Sequence, residues 1–159
     1  MKKLVALAAG LVDAGAPLPT ALGLGALLPF VLLALDILLN AEAPFHPATM
    51  ARAMVAYGVL FLSFLGGVRW GMTMRVTMTN REVAVLAFSL TPILVGWVAL
   101  FLSAGPALGL LAVAYAGQGA WDVWTVEAGY GPAWYGRLRL QFTITVTVIL
   151  TLALMLLGA

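Results

Sequence analysis

The fold of this chain is constrained most strongly by five apolar segments, each long enough to cross a lipid bilayer. They cover about residues 20–39, 52–74, 83–102, 106–124 and 138–157. Lipid offers no partners for backbone polar groups, so a spanning segment must be a helix of roughly 20 residues or a strand of a closed barrel. Continuous apolar runs such as "VTVILTLALMLL" lack the alternation of barrel strands. The sequence therefore predicts an all-α integral membrane bundle of five transmembrane helices in a single domain, residues 1–159.

The composition agrees with lipid as the solvent of this chain. Of its 159 residues, 64% are hydrophobic and 9% are charged, whereas a soluble domain carries about 25% charged residues. The chain has no cysteine and one histidine, which excludes disulfides and thiolate metal sites and makes a metal centre unexpected.

The first 16 residues, "MKKLVALAAGLVDAGA", are too short to span and carry three charges. We expect a short helix lying in the membrane interface over 1–16. A signal-peptide remnant or a disordered tail is the alternative.

Basic residues predict the orientation of the chain. With five spans, one side collects all but one of the lysines and arginines near the predicted helix ends: Lys2, Lys3, Arg75, Arg81, Arg137 and Arg139. The other side has Arg52. Because cytoplasmic loops are enriched in Lys and Arg, we expect a cytoplasmic N-terminus and a periplasmic C-terminus.

Three polar residues within predicted spans form a possible intramembrane polar cluster: Arg69, Gln118 and Asp122. Arg69 and Asp122 lie at similar depth, because their helices run in the same direction, and Gln118 precedes Asp122 by one turn. Arg69 could extend to the headgroups, pair with Asp122, or handle protons or substrate. These alternatives stay open from the sequence.

Small residues recur every four positions at Ser63, Gly67 and Gly71. Such a stripe lets a second helix approach closely. The sequence predicts helix packing on this stripe, with the span at 106–124 as neighbour.

Aromatic and basic residues concentrate near the predicted cytoplasmic end. We interpret them as an interfacial belt or as contacts for a lipid or quinone headgroup: Trp70, Trp121, Trp124, Trp134, Tyr135, Arg137 and Arg139.

The sequence contains no nucleophile–base constellation, paired carboxylates or phosphate-binding glycine loop. We therefore expect no enzyme, no cofactor and no nucleic-acid partner. The favoured function is an accessory, assembly or stabilising subunit of a larger membrane complex, with other membrane subunits or self-association as partners. A small transporter or channel, or a lipid- or quinone-binding protein, is the alternative.

Four segments together resemble an uncharacterised family of small bacterial and mitochondrial membrane proteins that includes transmembrane protein 69: "LGLGALLPFV", "LSFLGGVRWG", "TPILVGWVAL" and "PAWYGRLRLQFT". The resemblance implies several membrane spans in an energy-transducing membrane and implies no activity. The Ala-, Gly- and Leu-rich composition favours a bacterial inner membrane.

Overall fold

A computed structural model describes residues 17–39, 47–74 and 79–158, and within these ranges the secondary structure is helical. The helices are α1 (Pro17–Gly25), α2 (Leu28–Leu39), α3 (Pro47–Thr73), α4 (Asn80–Phe88), α5 (Thr91–Leu100), α6 (Ala104–Thr125) and α7 (Ala133–Gly158). A π-helical turn, Val126–Tyr130, follows α6. The predicted interfacial segment 1–16 lies outside the described residues, as do Lys2, Lys3 and Arg75.

The predicted all-α membrane bundle is confirmed. By length and composition, four helical stretches of the described chain can cross a membrane: Leu18–Leu39, Thr49–Thr73, Glu82–Leu100 and Ala133–Leu157. They correspond to the first, second, third and fifth predicted spans.

The fourth predicted span, 106–124, is confirmed as a helix but not as a stretch apolar enough to cross the membrane. It does form a helix, α6, whose 22 residues extend about 33 Å at 1.5 Å per residue, but it is not among the four stretches apolar enough to span. Leu108, Leu111, Tyr115, Gln118 and Asp122 are all buried on α6. This buried face packs against other helices, which explains the small and polar residues on it, whereas Val113 on the opposite face is exposed.

Two of the spans are broken near a proline. The first is interrupted at Ala26 and Leu27, between α1 and α2, and the Tyr57 hydroxyl donates to the Ala26 carbonyl at 2.7 Å. The third is interrupted at Ser89 and Leu90, just before Pro92. Proline lacks a backbone donor and ends the preceding helical turn.

The core forms where α3, α6 and α7 meet. Tyr115 of α6 is fully buried, and its hydroxyl donates to the Gly58 carbonyl of α3 at 2.7 Å. The contact between α6 and α7 requires a glycine, because a Cβ atom on Gly119 would collide with the Thr143 side chain. This packing places the charged residues of three helices side by side.

Candidate functional site

Arg69 of α3 and Asp122 of α6 form an ion pair inside the bundle. The distance from Arg69 Nε to Asp122 Oδ1 is 3.0 Å, and neither side chain is exposed. Arg69 Nη2 also donates to the backbone carbonyl of Asp122 at 2.9 Å. The structure thus brings together the two charged residues that the sequence placed at similar depth.

Arg139 of α7 binds the other oxygen of the same carboxylate. Its Nε donates to Asp122 Oδ2 at 2.7 Å, with both side chains fully buried. The sequence pattern placed Arg139 among the loop and headgroup residues and did not predict this contact. The sequence did contain an indication that Arg139 points inward. Three apolar residues follow it at helical spacing and all face the core: Phe142, Val146 and Leu150.

Arg69, Asp122 and Arg139, here called the arginine–aspartate cluster, carry a net charge of +1, since arginine stays protonated in proteins. Burying an ion costs several kcal/mol, and the attraction offsets this only when geometry and hydrogen bonds are good. Arg139 Nη1 reaches Thr143 Oγ1 at 3.5 Å, while Nη2 has no hydrogen-bond partner among the described residues. The cluster is therefore well paired around the carboxylate and retains an excess of positive charge.

The C-terminal end of α6 and the turn after it also contact this cluster. Arg69 Nη1 lies 3.4 Å from the Tyr130 carbonyl, at the end of the π-helical turn. Thr125 Oγ1 donates to the Asp122 carbonyl at 2.9 Å. The turn closes at Gly129, whose φ of 89° is in the left-handed region that favours glycine. Arg69 thus connects α3 to both α6 and the turn that follows.

Tyr135 packs against the cluster from α7. The Arg69 guanidinium carbon lies 5.9 Å from the centre of its ring, within the range of a cation–π contact. The Tyr135 side chain is 4% exposed, and its hydroxyl has no hydrogen-bond partner among the described residues.

Gln118 lies near the cluster and makes no hydrogen bond to it. The residue is buried and lines a cavity of about 200 Å³ together with Leu62 and Pro92. Its amide nitrogen is without a partner in the described part of the chain. The predicted group of Arg69, Gln118 and Asp122 is thus replaced by one in which Arg139 takes the third place.

The aromatic and basic residues predicted as headgroup contacts are divided between separate places. Trp134 and Tyr135 line a cavity of about 280 Å³ between α1, α3 and α7. Arg137 lines another, of about 420 Å³. On α6, the Trp121 ring packs against Phe88 and Trp124, at 4.8 and 5.1 Å between centroids. Trp70 is 37% exposed.

The small-residue stripe of α3 is used differently from the expectation. Ser63 packs toward Gly96, but Gly67 and Gly71 face open space. The close contacts are made by Gly66, where a Cβ atom would lie 2.7 Å from the Ser89 carbonyl oxygen, and by Gly96, where it would lie 2.9 Å from Val59. The close contacts of this part of α3 are therefore with α5 and the turn before it, one residue away from the predicted Gly67, and not with the predicted neighbour at 106–124.

The described residues contain no group of three His, Cys, Asp or Glu side chains that could hold a metal ion. His46 lies outside the described ranges.

Residues 16–155 match the family described as "Protein of unknown function (DUF3429)". The chain belongs to this family. It is also similar to transmembrane protein 69 of Xenopus tropicalis, with 41% identity over 80 residues, and of Mus musculus, with 40% identity over 55 residues. These matches cover 50% and 34% of this chain, but only 30% and 22% of the relatives' own length. No solved structure matches the chain. The family predicted from the sequence is thereby confirmed.

Proposed function

We propose that this membrane protein is an accessory, assembly or stabilising subunit of a larger membrane complex and has no catalytic site of its own. The observation that carries the proposal is the complete burial of Arg69, Asp122 and Arg139. These charges join three helices of one chain to each other. In this proposal they stabilise the arrangement of the helices in the bundle, and the outer faces of the bundle contact a partner protein.

A transport function would need the same charges to face a path for ions or substrate. Four cavities in the described part of the chain, of about 280, 630, 200 and 420 Å³, are lined by other residues. Charged groups with a transport role line a water-filled cavity. The subunit function is therefore favoured over the channel or transporter.

The outward face of α3 is our candidate for the contact with a partner helix. Gly67 and Gly71 are exposed, and a Cβ atom added at either position would have no other atom within 4 Å. Spaced four residues apart, they leave the backbone accessible to a helix from another chain. Other subunits are the proposed partners and self-association is the alternative.

The proposed location is a bacterial inner membrane, with the N-terminus in the cytoplasm and the C-terminus in the periplasm. This orientation requires α6 to cross as the fourth span; its support is the excess of basic residues that then falls on one side and the Ala-, Gly- and Leu-rich composition.

Mild native purification of the tagged chain, followed by mass spectrometry of the stoichiometric components, tests the proposal. We expect one defined larger complex that is lost in the Gly67→Leu/Gly71→Leu double variant. Gly117→Leu is the matched control, since Gly117 is an exposed helical glycine on α6 with open space around it. A lone protein, or a complex that survives the double variant, would contradict the proposed contact.

A further inference from the structure

The cavity between α1, α3 and α7 lies at one end of the bundle and opens to its surface. Its volume is about 280 Å³, and its walls are apolar and rich in aromatic rings, including Phe61, Trp134 and Phe142. Leu22 and Phe64 at its edge are 68% and 61% exposed. A lipid-facing cleft with such walls fits a hydrocarbon chain.

One end of this cavity lies at the start of two stretches that can cross a membrane, Leu18–Leu39 and Ala133–Leu157. Pro19 and Tyr135, which line it, are each the third residue of their helix. At 1.5 Å per residue, they lie about 3 Å below the first residues of α1 and α7. A lipid whose chain enters the cleft would have its headgroup level with the start of α7, where backbone N–H groups and the helix dipole favour an anion.

The wall of the cavity borders the arginine–aspartate cluster. Tyr135 belongs to both, because it lines the cleft and its ring lies 5.9 Å from the Arg69 guanidinium carbon. The cluster has an excess charge of +1, and two buried donors have no partner among the described residues: Arg139 Nη2 within the cluster and the Tyr135 hydroxyl beside it. In a medium of low dielectric this charge acts over several ångströms. The site is therefore suited to a negative headgroup.

We propose that this cleft binds one acidic phospholipid, with an acyl chain between Phe61, Trp134 and Phe142 and its phosphate near Tyr135 and the start of α7. The bound phosphate balances the excess charge of the cluster. Basic sites between membrane helices bind acidic headgroups in this manner. The inference goes beyond the proposed subunit function and does not depend on it.

Native mass spectrometry of the purified full chain tests the proposal, with added phosphatidylglycerol or phosphatidylcholine of identical acyl chains. We expect one phosphatidylglycerol to bind about fivefold more tightly than phosphatidylcholine, as for a single basic group near a membrane surface. Equal affinities, or tighter binding of an added short-chain ubiquinone or of oleate, would overturn the assignment to a phospholipid phosphate.

Two variants locate the site. Tyr135→Phe removes one hydroxyl and should reduce the preference for phosphatidylglycerol, whereas Tyr130→Phe removes a hydroxyl outside the cleft lining and should not. Leu22→Trp should fill the cleft and abolish the preference. Leu18→Trp, at an exposed position of α1 that is not part of the lining, is its control. An unchanged preference in both Tyr135→Phe and Leu22→Trp would contradict this location. Because Tyr135→Phe keeps the ring, the test remains decisive if Leu22→Trp fails to fold.

Discussion

The Arg139 guanidinium and the Asp122 carboxylate meet at 2.7 Å between α7 and α6, with neither side chain exposed. Asp122 already binds Arg69 of α3 through its other oxygen, so one carboxylate joins three helices. Each arginine keeps its acidic partner if the other arginine is removed, but both lose that partner if Asp122 is removed. The three residues therefore do not contribute equally to the stability of the protein.

Replacing Asp122 is expected to be the most destabilising single change in the cluster. Asp122→Asn keeps the side-chain volume but leaves two buried guanidinium groups without a counter-charge. Removal of one partner from a buried ion pair costs about 3–5 kcal/mol, and a loss at or above the top of this range is expected here. Thermal unfolding in detergent, followed by tryptophan fluorescence, measures it. Asp122→Asn that unfolds like the unmodified chain would contradict a stabilising cluster.

Removing Arg69 should cost less than removing Asp122, because it leaves a neutral Arg139–Asp122 pair. Arg69→Ala should nevertheless cost more than Arg139→Ala, since Arg69 also donates to the carbonyls of Asp122 and Tyr130. The same unfolding measurement ranks the variants. An Arg139→Ala variant less stable than Arg69→Ala would mean that the two carbonyl contacts add little.

The double variant Arg69→Ala/Asp122→Asn separates this arrangement from a simple two-residue ion pair. A simple pair predicts that Asp122→Asn rescues Arg69→Ala, because no buried charge remains. Here the double variant should be less stable than Arg69→Ala alone, since Arg139 then has no acidic partner. Rescue would show that Arg139 does not depend on Asp122.

Hydropathy predicted four segments that can cross the membrane, but not how the remaining one, at 106–124, packs against them. The segment 106–124 was grouped with the other four predicted spans, yet α6 is not among the stretches apolar enough to span and buries one of its faces against other helices. Its small and polar residues are explained by the helices around it. Those contacts depend on how the helices are arranged in space, which the local sequence does not specify.

The rotation of each helix about its own axis could not be predicted from the sequence either. The constant rise per residue placed Arg69 and Asp122 at similar depth, but it left open whether the two side chains pair. Placing Arg139 required knowing which face of α7 meets α6, and the position of Arg139 near a predicted helix end favoured a headgroup contact instead. In α3, the four-residue spacing predicted Gly67 as a packing residue, whereas the close contact with the Ser89 carbonyl falls on Gly66.

Gly119 should tolerate no larger residue. A Cβ atom there would collide with the Thr143 side chain, so Gly119→Ala must push α7 away from α6 or turn Thr143 out of its hydrogen bond to the Arg139 carbonyl. Overpacking of this kind costs about 1–3 kcal/mol. Gly117→Ala, with open space around it, is the control and should be neutral or slightly stabilising, since alanine favours a helix. Thr143→Ala should restore part of the stability lost in Gly119→Ala, and its failure to do so would mean that another contact limits this position.

Tyr115→Phe should have a small effect despite complete burial. The change removes the 2.7 Å hydrogen bond from the Tyr115 hydroxyl to the Gly58 carbonyl but keeps the ring among Phe30 and Phe61. Hydrogen bonds between membrane helices are worth about 0.6 kcal/mol on average and up to about 1.7 kcal/mol. Measuring the thermal unfolding of Tyr115→Phe and of Asp122→Asn under the same conditions compares a neutral hydrogen bond between α3 and α6 with the charged contacts of Asp122. A loss for Tyr115→Phe equal to that for Asp122→Asn would mean that the ion pairs add nothing beyond an ordinary hydrogen bond, and that the three helices are held by packing.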